Sequence, residues 1–153
     1  MSRAFVKESS GEEDDVPERA ISGHRNLVTP RGLAQIDAHL KRLESELSAA
    51  RHRHELPLAS QCQRDLRYWS ARRTSAEVVR LLTPTGTVRF GSSVELTLAN
   101  GRLQRWSLVG EDEADPGEGL ISYVSPMAQR LLGAHVGDEI DTGHGQAVIE
   151  KVY

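Results

Sequence analysis

The sequence contains little cysteine, few aromatic residues and no long hydrophobic run. Aromatic residues make up 5% of its 153 residues, and hydrophobic residues 38%, which is low for one large core. The lone Cys62 excludes an intramolecular disulfide and fits a reducing compartment. No apolar run could span a bilayer and no signal-peptide core is present, so we expect a cytoplasmic protein with no membrane partner.

Patterns typical of catalytic and metal sites are missing as well. No serine or cysteine lies in a nucleophile elbow or triad pattern, and there is no glycine-rich phosphate loop. His52 and His54 would point about 200° apart on a helix, so they cannot share an ion. His135 and His144 have no cysteine or carboxylate at ligand spacing. We therefore predict no enzyme activity, no metal and no cofactor.

Charge is distributed unevenly although the formal net charge is only -3. A loop over residues 110–119 carries five carboxylates and no base, whereas arginines are frequent between residues 51 and 80. Four of these form a predicted basic arm face: Arg64, Arg67, Arg72 and Arg73. Such a face suits nucleic-acid phosphate or an acidic protein, but it is equally typical of the solvated outside of a coiled coil. Tyr68 is predicted on this outer face and Trp69 on the packed side.

Residues 28–82 are predicted to form an arm of two antiparallel helices. Apolar residues recur at alternating steps of three and four, which is the seam of a coiled coil. In the first helix these are Leu33, Ile36, Leu40, Leu43, Leu47 and Ala50, and in the second Cys62, Leu66, Trp69 and Ala76. Thr29 is the expected N-cap of a helix from Pro30 to about His54. Pro57 interrupts the seam, so the second helix is predicted from Ala59 or Ser60 to about Leu82.

The remaining segments are a tail and a small domain. Residues 1–27, with an acidic block at Glu12 to Asp15, lack apolar periodicity and are predicted to be a disordered tail. From residue 83 the apolar period changes to two, and Asn100-Gly101 predicts a two-residue hairpin turn. Ser125-Pro126 predicts a capped helix that Gly133 ends. The fold class is therefore α+β, in which the helical arm precedes an antiparallel sheet with one helix.

Several motifs in this order resemble the Gre-type (GreA/GreB) transcription elongation factors. The likeness is carried by Val28-Thr29-Pro30-Arg31-Gly32-Leu33, Phe90-Gly91-Ser92-Ser93-Val94, Val109-Gly110-Glu111-Asp112-Glu113, Ser125-Pro126-Met127-Ala128 and Val136-Gly137-Asp138-Glu139. It covers most of the chain from Leu27 onward. The resemblance implies an FKBP-like second domain without isomerase activity, and binding of a monomer to the rim of the RNA polymerase secondary channel.

The resemblance also implies positions that dock on the polymerase. They are Ser122, Val124, Ser125, Pro126 and Met127, with Asp112 and Glu113 of the acidic loop as further candidates. Some family members have an acidic residue where this chain has Val124. Nucleic-acid contact through the arm is expected only through the basic face described above.

The arm tip of this chain departs from the family pattern. Cleavage-stimulating members carry paired carboxylates there, which help to hold a second magnesium ion. Here the tip reads His54, Glu55, Leu56 and Pro57, with one carboxylate, on an arm several turns shorter. The resemblance thus implies a polymerase-binding regulator that does not stimulate cleavage, similar to the short-armed Rnk-type members known as nucleoside diphosphate kinase regulators. The alternatives are a cleavage factor using Glu12 to Asp15, a Rnk-like nucleoside diphosphate kinase regulator, and a nucleic-acid-binding module that acts without polymerase.

Overall fold

The computed structural model describes residues 16–81 and 83–153. An irregular segment leads into a two-helix arm, and a five-stranded sheet with one helix follows. The first part contains β1 (Leu27–Val28), α1 (Pro30–His52), α2 (Leu56–Ser75) and β2 (Glu77–Val78). The second contains β3 (Ser93–Leu98), β4 (Leu103–Val109), β5 (Leu120–Ser122), α3 (Pro126–Leu131), β6 (Glu139–Asp141) and β7 (Gln146–Val152). The α+β class is confirmed.

The arm is a pair of antiparallel helices held by the predicted apolar seam. Thr29 caps α1 as expected, because its hydroxyl accepts a hydrogen bond from the Gly32 amide at 3.0 Å. The fully buried seam residues on α1 are Ile36, Leu43 and Ala50, and the first two pack in one cluster with Cys62 and Trp69 of α2. Burial raises the pKa of the Cys62 thiol, in line with a structural rather than reactive cysteine.

The predicted bounds of the second helix are wrong at both ends. It begins at Leu56, with Pro57 in its first turn, where a missing amide proton costs nothing. It ends at Ser75, because the next residues leave the helix to pair in parallel with Leu27–Val28. That pairing joins segments about fifty residues apart, which local sequence does not reveal. The predicted arm end, Leu82, lies outside the described residues.

The prediction of a disordered tail up to residue 27 is wrong for its described part. Residues 16–26 have no regular structure but lie along α2. Glu18 accepts hydrogen bonds from Arg67, and the Arg19 guanidinium lies 3.8 Å from the centre of the Tyr68 ring. Asn26 is buried. The acidic block at residues 12–15 lies outside the described residues.

The sheet has the strand order β5-β4-β3-β7-β6. Its hairpins are antiparallel, but β4 and β5 pair in parallel, which corrects the prediction of a wholly antiparallel sheet. The connection that contains the acidic loop allows this pairing, because it carries the chain back along β4. Strand β5 therefore begins opposite Ser107 and runs in the same direction as β4. The predicted hairpin at Asn100-Gly101 is present, but Leu98 donates to the Arg102 carbonyl, so the loop has three residues. Gly101 adopts the left-handed conformation that such a loop requires, with φ 79°.

The core of the second domain lies between the sheet and α3. Its fully buried members are the inward residues of the strands together with the apolar side of α3: Val88, Val94, Leu96, Leu108, Ala128, Leu131, Ala147 and Ile149. Ser125 caps α3 as predicted, and Gly133 follows it with φ 82°. Within the described parts of the chain, no helix combines the length and apolarity needed to cross a membrane.

Candidate functional site

The predicted docking residues Ser122 to Met127 form a tight turn between β5 and α3. The Ser125 amide donates to the Ser122 carbonyl at 2.9 Å, and the Ser122 hydroxyl accepts from the Val124 amide at 3.3 Å. Pro126 is exposed at the first position of α3, and Val124 and Met127 are half-buried beside it. The structure therefore brings these predicted residues together on one accessible corner of the sheet domain.

Tyr123 holds this turn in place. Its hydroxyl donates to the Arg25 carbonyl at 2.5 Å, and its ring packs edge-on against Phe90 at 5.4 Å between ring centres. The Gln129 side chain donates to the Tyr123 carbonyl at 2.7 Å. Burial raises the pKa of the Tyr123 hydroxyl above its ordinary value. The turn is thus a preorganised surface that is tied to the N-terminal segment.

A cavity of about 400 Å³ adjoins the same corner. Met127 and Trp106 supply apolar surface, and Asn100, Gln104 and His144 supply polar groups around it. The Trp106 indole nitrogen donates to Gln104 at 3.3 Å. Pockets that combine aromatic surface with a few polar groups are typical of binding sites, and this one extends the surface formed by the turn.

The side chains of Asp112 and Glu113 contact the arm and do not line this surface, and their role as docking positions stays a prediction. The Glu113 side chain is turned inward against the arm, and the residue is only 7% exposed. It accepts a hydrogen bond from the Thr29 hydroxyl at 2.6 Å. A Cβ atom on Gly32 would lie 2.7 Å from the Glu113 carboxylate, so glycine there permits the close approach of arm and loop. The acidic loop contacts a basic partner, but that partner belongs to the same chain.

Arg72 is the centre of this contact between the arm and the sheet domain. Its side chain is only 2% exposed. The guanidinium donates to Asp112 at 2.5 Å through Nε and to Asn26 at 2.7 Å through Nη2. The Tyr68 hydroxyl donates to the other Asp112 oxygen. Burial and this hydrogen bond raise the pKa of Tyr68 to about 12. We call these residues, Asn26, Tyr68, Arg72 and Asp112, the Arg72 network.

The predicted basic arm face is therefore not a continuous cationic surface. Arg72 is buried, so its predicted place on an exposed arm face is wrong. The other three are paired within the chain: Arg64 with Asp65 at 3.1 Å, Arg67 with Glu18, and Arg73 with Asp37 at 2.6 Å. Tyr68 also points into the loop contact instead of the outer face, whereas Trp69 packs on the seam and stacks on His39 at 4.2 Å as an inward residue should.

The arm tip is exposed and has one carboxylate. Glu55 pairs with Arg53 at 3.1 Å, and Leu56 is 71% exposed beside Pro57. His54 follows the end of α1 in the left-handed conformation, with φ 58°. The amides of Glu55 and His54 donate back to the carbonyls of Ala50 and Arg51, which is the pattern of a Schellman cap. In the described part of the chain, no group of three histidine, cysteine or carboxylate residues is placed to hold a metal ion.

The long-range contacts of Asn26, Tyr123 and Arg72 are not evident from the sequence. The glycine in the first turn of α1 was a usable signal. It weakens the helix by up to about 1 kcal/mol relative to alanine, so its presence there indicates close packing.

Comparison with known proteins links this geometry to one family. Residues 83–150 match the family model described as "Transcription elongation factor, GreA/GreB, C-term". A GreB of Xanthomonas axonopodis pv. citri is 35% identical over 135 residues, which cover 75% of this chain and 80% of that protein. A GreA of Desulfovibrio desulfuricans is 39% identical over 77 residues, or 49% of this chain and 48% of its own, so the chain spans about half the length of that relative. Among solved structures, a GreA/GreB factor from Nitrosomonas europaea aligns over 82% of this chain and 97% of its own, with 22% identity and a TM-score of 0.41.

Proposed function

The chain belongs to the GreA/GreB family of transcription elongation factors, and from this membership we propose that it binds RNA polymerase at the entrance of the secondary channel. In this proposal the sheet domain, as an FKBP-like module, docks on the rim of the channel, and the arm enters it. The bound protein modulates elongation and does not stimulate transcript cleavage.

The observation that carries the proposal is the composition and pairing of the arm tip. Stimulated cleavage needs carboxylates that help to hold a second metal ion. Glu55 is the only carboxylate between residues 51 and 60, and it is already engaged by Arg53 at 3.1 Å. The neighbouring Arg51 and Arg53 are cationic and repel a metal ion at this tip. A tip of this kind supports an arm that occupies the channel and does not supply the carboxylates needed for cleavage.

The docking surface in this proposal is the turn from Ser122 to Met127 together with the cavity beside it. The hydrogen bonds within the turn fix its shape before binding, which lowers the ordering cost of association. Pro126 is exposed at its centre. Three arginines of the basic arm face are paired with carboxylates of the same chain, which disfavours a nucleic-acid interface there, because each arginine would have to leave its partner to replace a counterion on a phosphate backbone.

A pull-down with core RNA polymerase tests the docking surface. The Pro126→Asp variant places a charge at the centre of the surface and should reduce retention on the polymerase by tenfold or more, on the order of one buried interfacial charge. Pro84→Asp is the matched control, since Pro84 is an exposed proline on the linker and the charge change is the same. Equal retention of both variants would contradict docking through this turn.

Competition tests the consequence for cleavage. A backtracked elongation complex is supplied with an authentic GreA or GreB, and increasing amounts of this chain are added. We expect cleavage by the authentic factor to fall as the channel is occupied, and Pro126→Asp to lose this inhibition. Undiminished cleavage at concentrations that saturate the polymerase would contradict the proposal. Strong, salt-dependent binding of the chain to free RNA would instead support a nucleic-acid-binding module.

A further inference from the structure

The Arg72 network joins three segments that are distant in sequence. Asn26 lies before the arm, Arg72 and Tyr68 lie on α2, and Asp112 lies in the acidic loop of the sheet domain. Asn26 also donates to the Arg72 carbonyl at 2.7 Å, so it forms hydrogen bonds with both the backbone and the side chain of Arg72. The network is thus placed at the point where the arm leaves the sheet domain.

The strength of this contact follows from its burial. The Arg72 side chain is 2% exposed and that of Asp112 14%, so solvent screens their attraction far less than that of the arm's surface pairs. Arginine presents its donors in a rigid fork, which fixes direction as well as distance. Glu111 lies 3.8 Å from the same guanidinium, and its Oε2 is buried without a hydrogen-bond partner among the described residues.

A second contact restrains the same joint through backbone. A Cβ atom on Gly110 would lie 2.5 Å from the Leu27 carbonyl oxygen, so the acidic loop lies directly against β1. Gly110 has φ -67°, which any residue adopts, so the space and not the conformation demands glycine. The loop is therefore held against the base of the arm both by charge and by close packing.

We propose that Arg72 is a positioning residue that fixes the direction in which the arm leaves the sheet domain. This inference rests on the proposed function in one respect: the direction of the arm decides whether a docked molecule excludes a second factor from the channel. Docking uses the turn at Ser122 to Met127, so loss of the network leaves polymerase affinity in place while exclusion is lost.

Two variants disturb the joint by independent means. Arg72→Met removes the charge and keeps an apolar stem of similar length. Gly110→Ala leaves every charge in place and inserts a methyl group against the Leu27 carbonyl. Gly23→Ala is the matched control for the second variant, because a Cβ atom there meets nothing within 4 Å. Arg72→Lys is the conservative variant, which keeps the charge without the fork.

The distance between the arm tip and the sheet domain is the direct measurement. Spin labels on Leu56→Cys and Leu103→Cys, at residues 71% and 63% exposed, report this distance by pulsed electron paramagnetic resonance. Native Cys62 is buried, and its raised pKa slows its reaction with the label. We expect one narrow distribution for the parent protein and for Gly23→Ala, and broader or shifted distributions for Arg72→Met and Gly110→Ala. The distance distribution of Arg72→Lys should be intermediate between those of the parent protein and Arg72→Met. Unchanged distributions in both perturbing variants, with circular dichroism showing them folded, would overturn the inference.

Polymerase assays separate positioning from simple stability. Retention on core polymerase should change by less than twofold in Arg72→Met and Gly110→Ala, whereas inhibition of the authentic cleavage factor should weaken about tenfold, within the usual range of coupling between sites. Equal loss of retention and inhibition would overturn the positioning role. If the parent protein does not bind polymerase, the proposed function fails, but the distance measurement still decides whether Arg72 sets the direction of the arm.

Discussion

Removal of the Asp112 carboxylate should destabilise the protein strongly, because it leaves the Arg72 guanidinium buried without its main partner. Breaking a buried ion pair by deleting one member typically costs about 3–5 kcal/mol. Two features of the structure reduce this value. Arg72 keeps its hydrogen bond to Asn26 at 2.7 Å, and Glu111 lies 3.8 Å away and can move closer. Loss of the hydrogen bond from Tyr68 to Asp112 increases the expected destabilisation by about 1 kcal/mol.

We therefore expect Asp112→Ala to lower the free energy of unfolding by about 3 kcal/mol. In a chain of this size that corresponds to a fall in Tm of roughly 6–12 °C. Urea denaturation followed by circular dichroism measures the change, and thermal melts give an independent value. Glu118→Ala is the control, because Glu118 is an exposed carboxylate in the same loop and should change stability by no more than about 0.5 kcal/mol.

A double-mutant cycle isolates the pair itself. If the loss arises from the buried charge, Arg72→Met combined with Asp112→Ala should be more stable than the sum of the two single effects predicts, by about 1–3 kcal/mol. Equal stability of Asp112→Ala and Glu118→Ala would refute the reasoning. So would strict additivity of Arg72→Met and Asp112→Ala.

Two further predictions concern the tip and the network. His54→Gly should raise the free energy of unfolding by about 1 kcal/mol, because glycine adopts the left-handed conformation without the steric cost; the neighbouring His52→Gly should lower it. Urea midpoints check both, and a loss of stability in His54→Gly would contradict the assigned cap. The Tyr68 pKa of about 12 lies above the value of 10 expected when unfolded, so its contribution to stability is complete below pH 10 and is lost as the pH rises through about 12. Absorbance titration at alkaline pH should contain a tyrosine that titrates near pH 12 and that Tyr68→Phe removes, and a Tyr68→Phe titration curve identical to that of the parent protein at that pH would contradict the network.

The local features of the fold could be predicted from the sequence because their causes are local. The seam from Leu33 to Ala50 follows from helical periodicity, and Ser125-Pro126 places a helix start through a cap of adjacent residues. Asn100-Gly101 located a hairpin, although not the number of residues in its loop. Predictions failed where a distant segment decides the outcome: the pairing of β1 with β2 ends α2 early, and β5 joins β4 in parallel.

The same distinction explains the candidate site. The turn from Ser122 to Met127 could be predicted through the family resemblance, and its residues do lie together. The burial of Arg72 could not, because an arginine on a helix has the same pattern whether it meets water or a carboxylate 40 residues away. The contacts of Asp112 and Glu113 with the arm could not be predicted for the same reason, since an acidic run without a nearby base suggests an external partner until the fold supplies an internal one.

Transcript cleavage in a backtracked elongation complex tests the central claim most directly. The complex, with end-labelled RNA, is incubated with magnesium and a saturating amount of the chain, and an authentic GreA in a parallel reaction confirms that the complex is competent. Saturation is established beforehand by retention on the same polymerase. We expect RNA of unchanged length beyond the intrinsic cleavage of the polymerase, because Glu55 is a single, paired carboxylate at the tip. Shortened RNA that appears at a rate rising with the amount of the chain would contradict it.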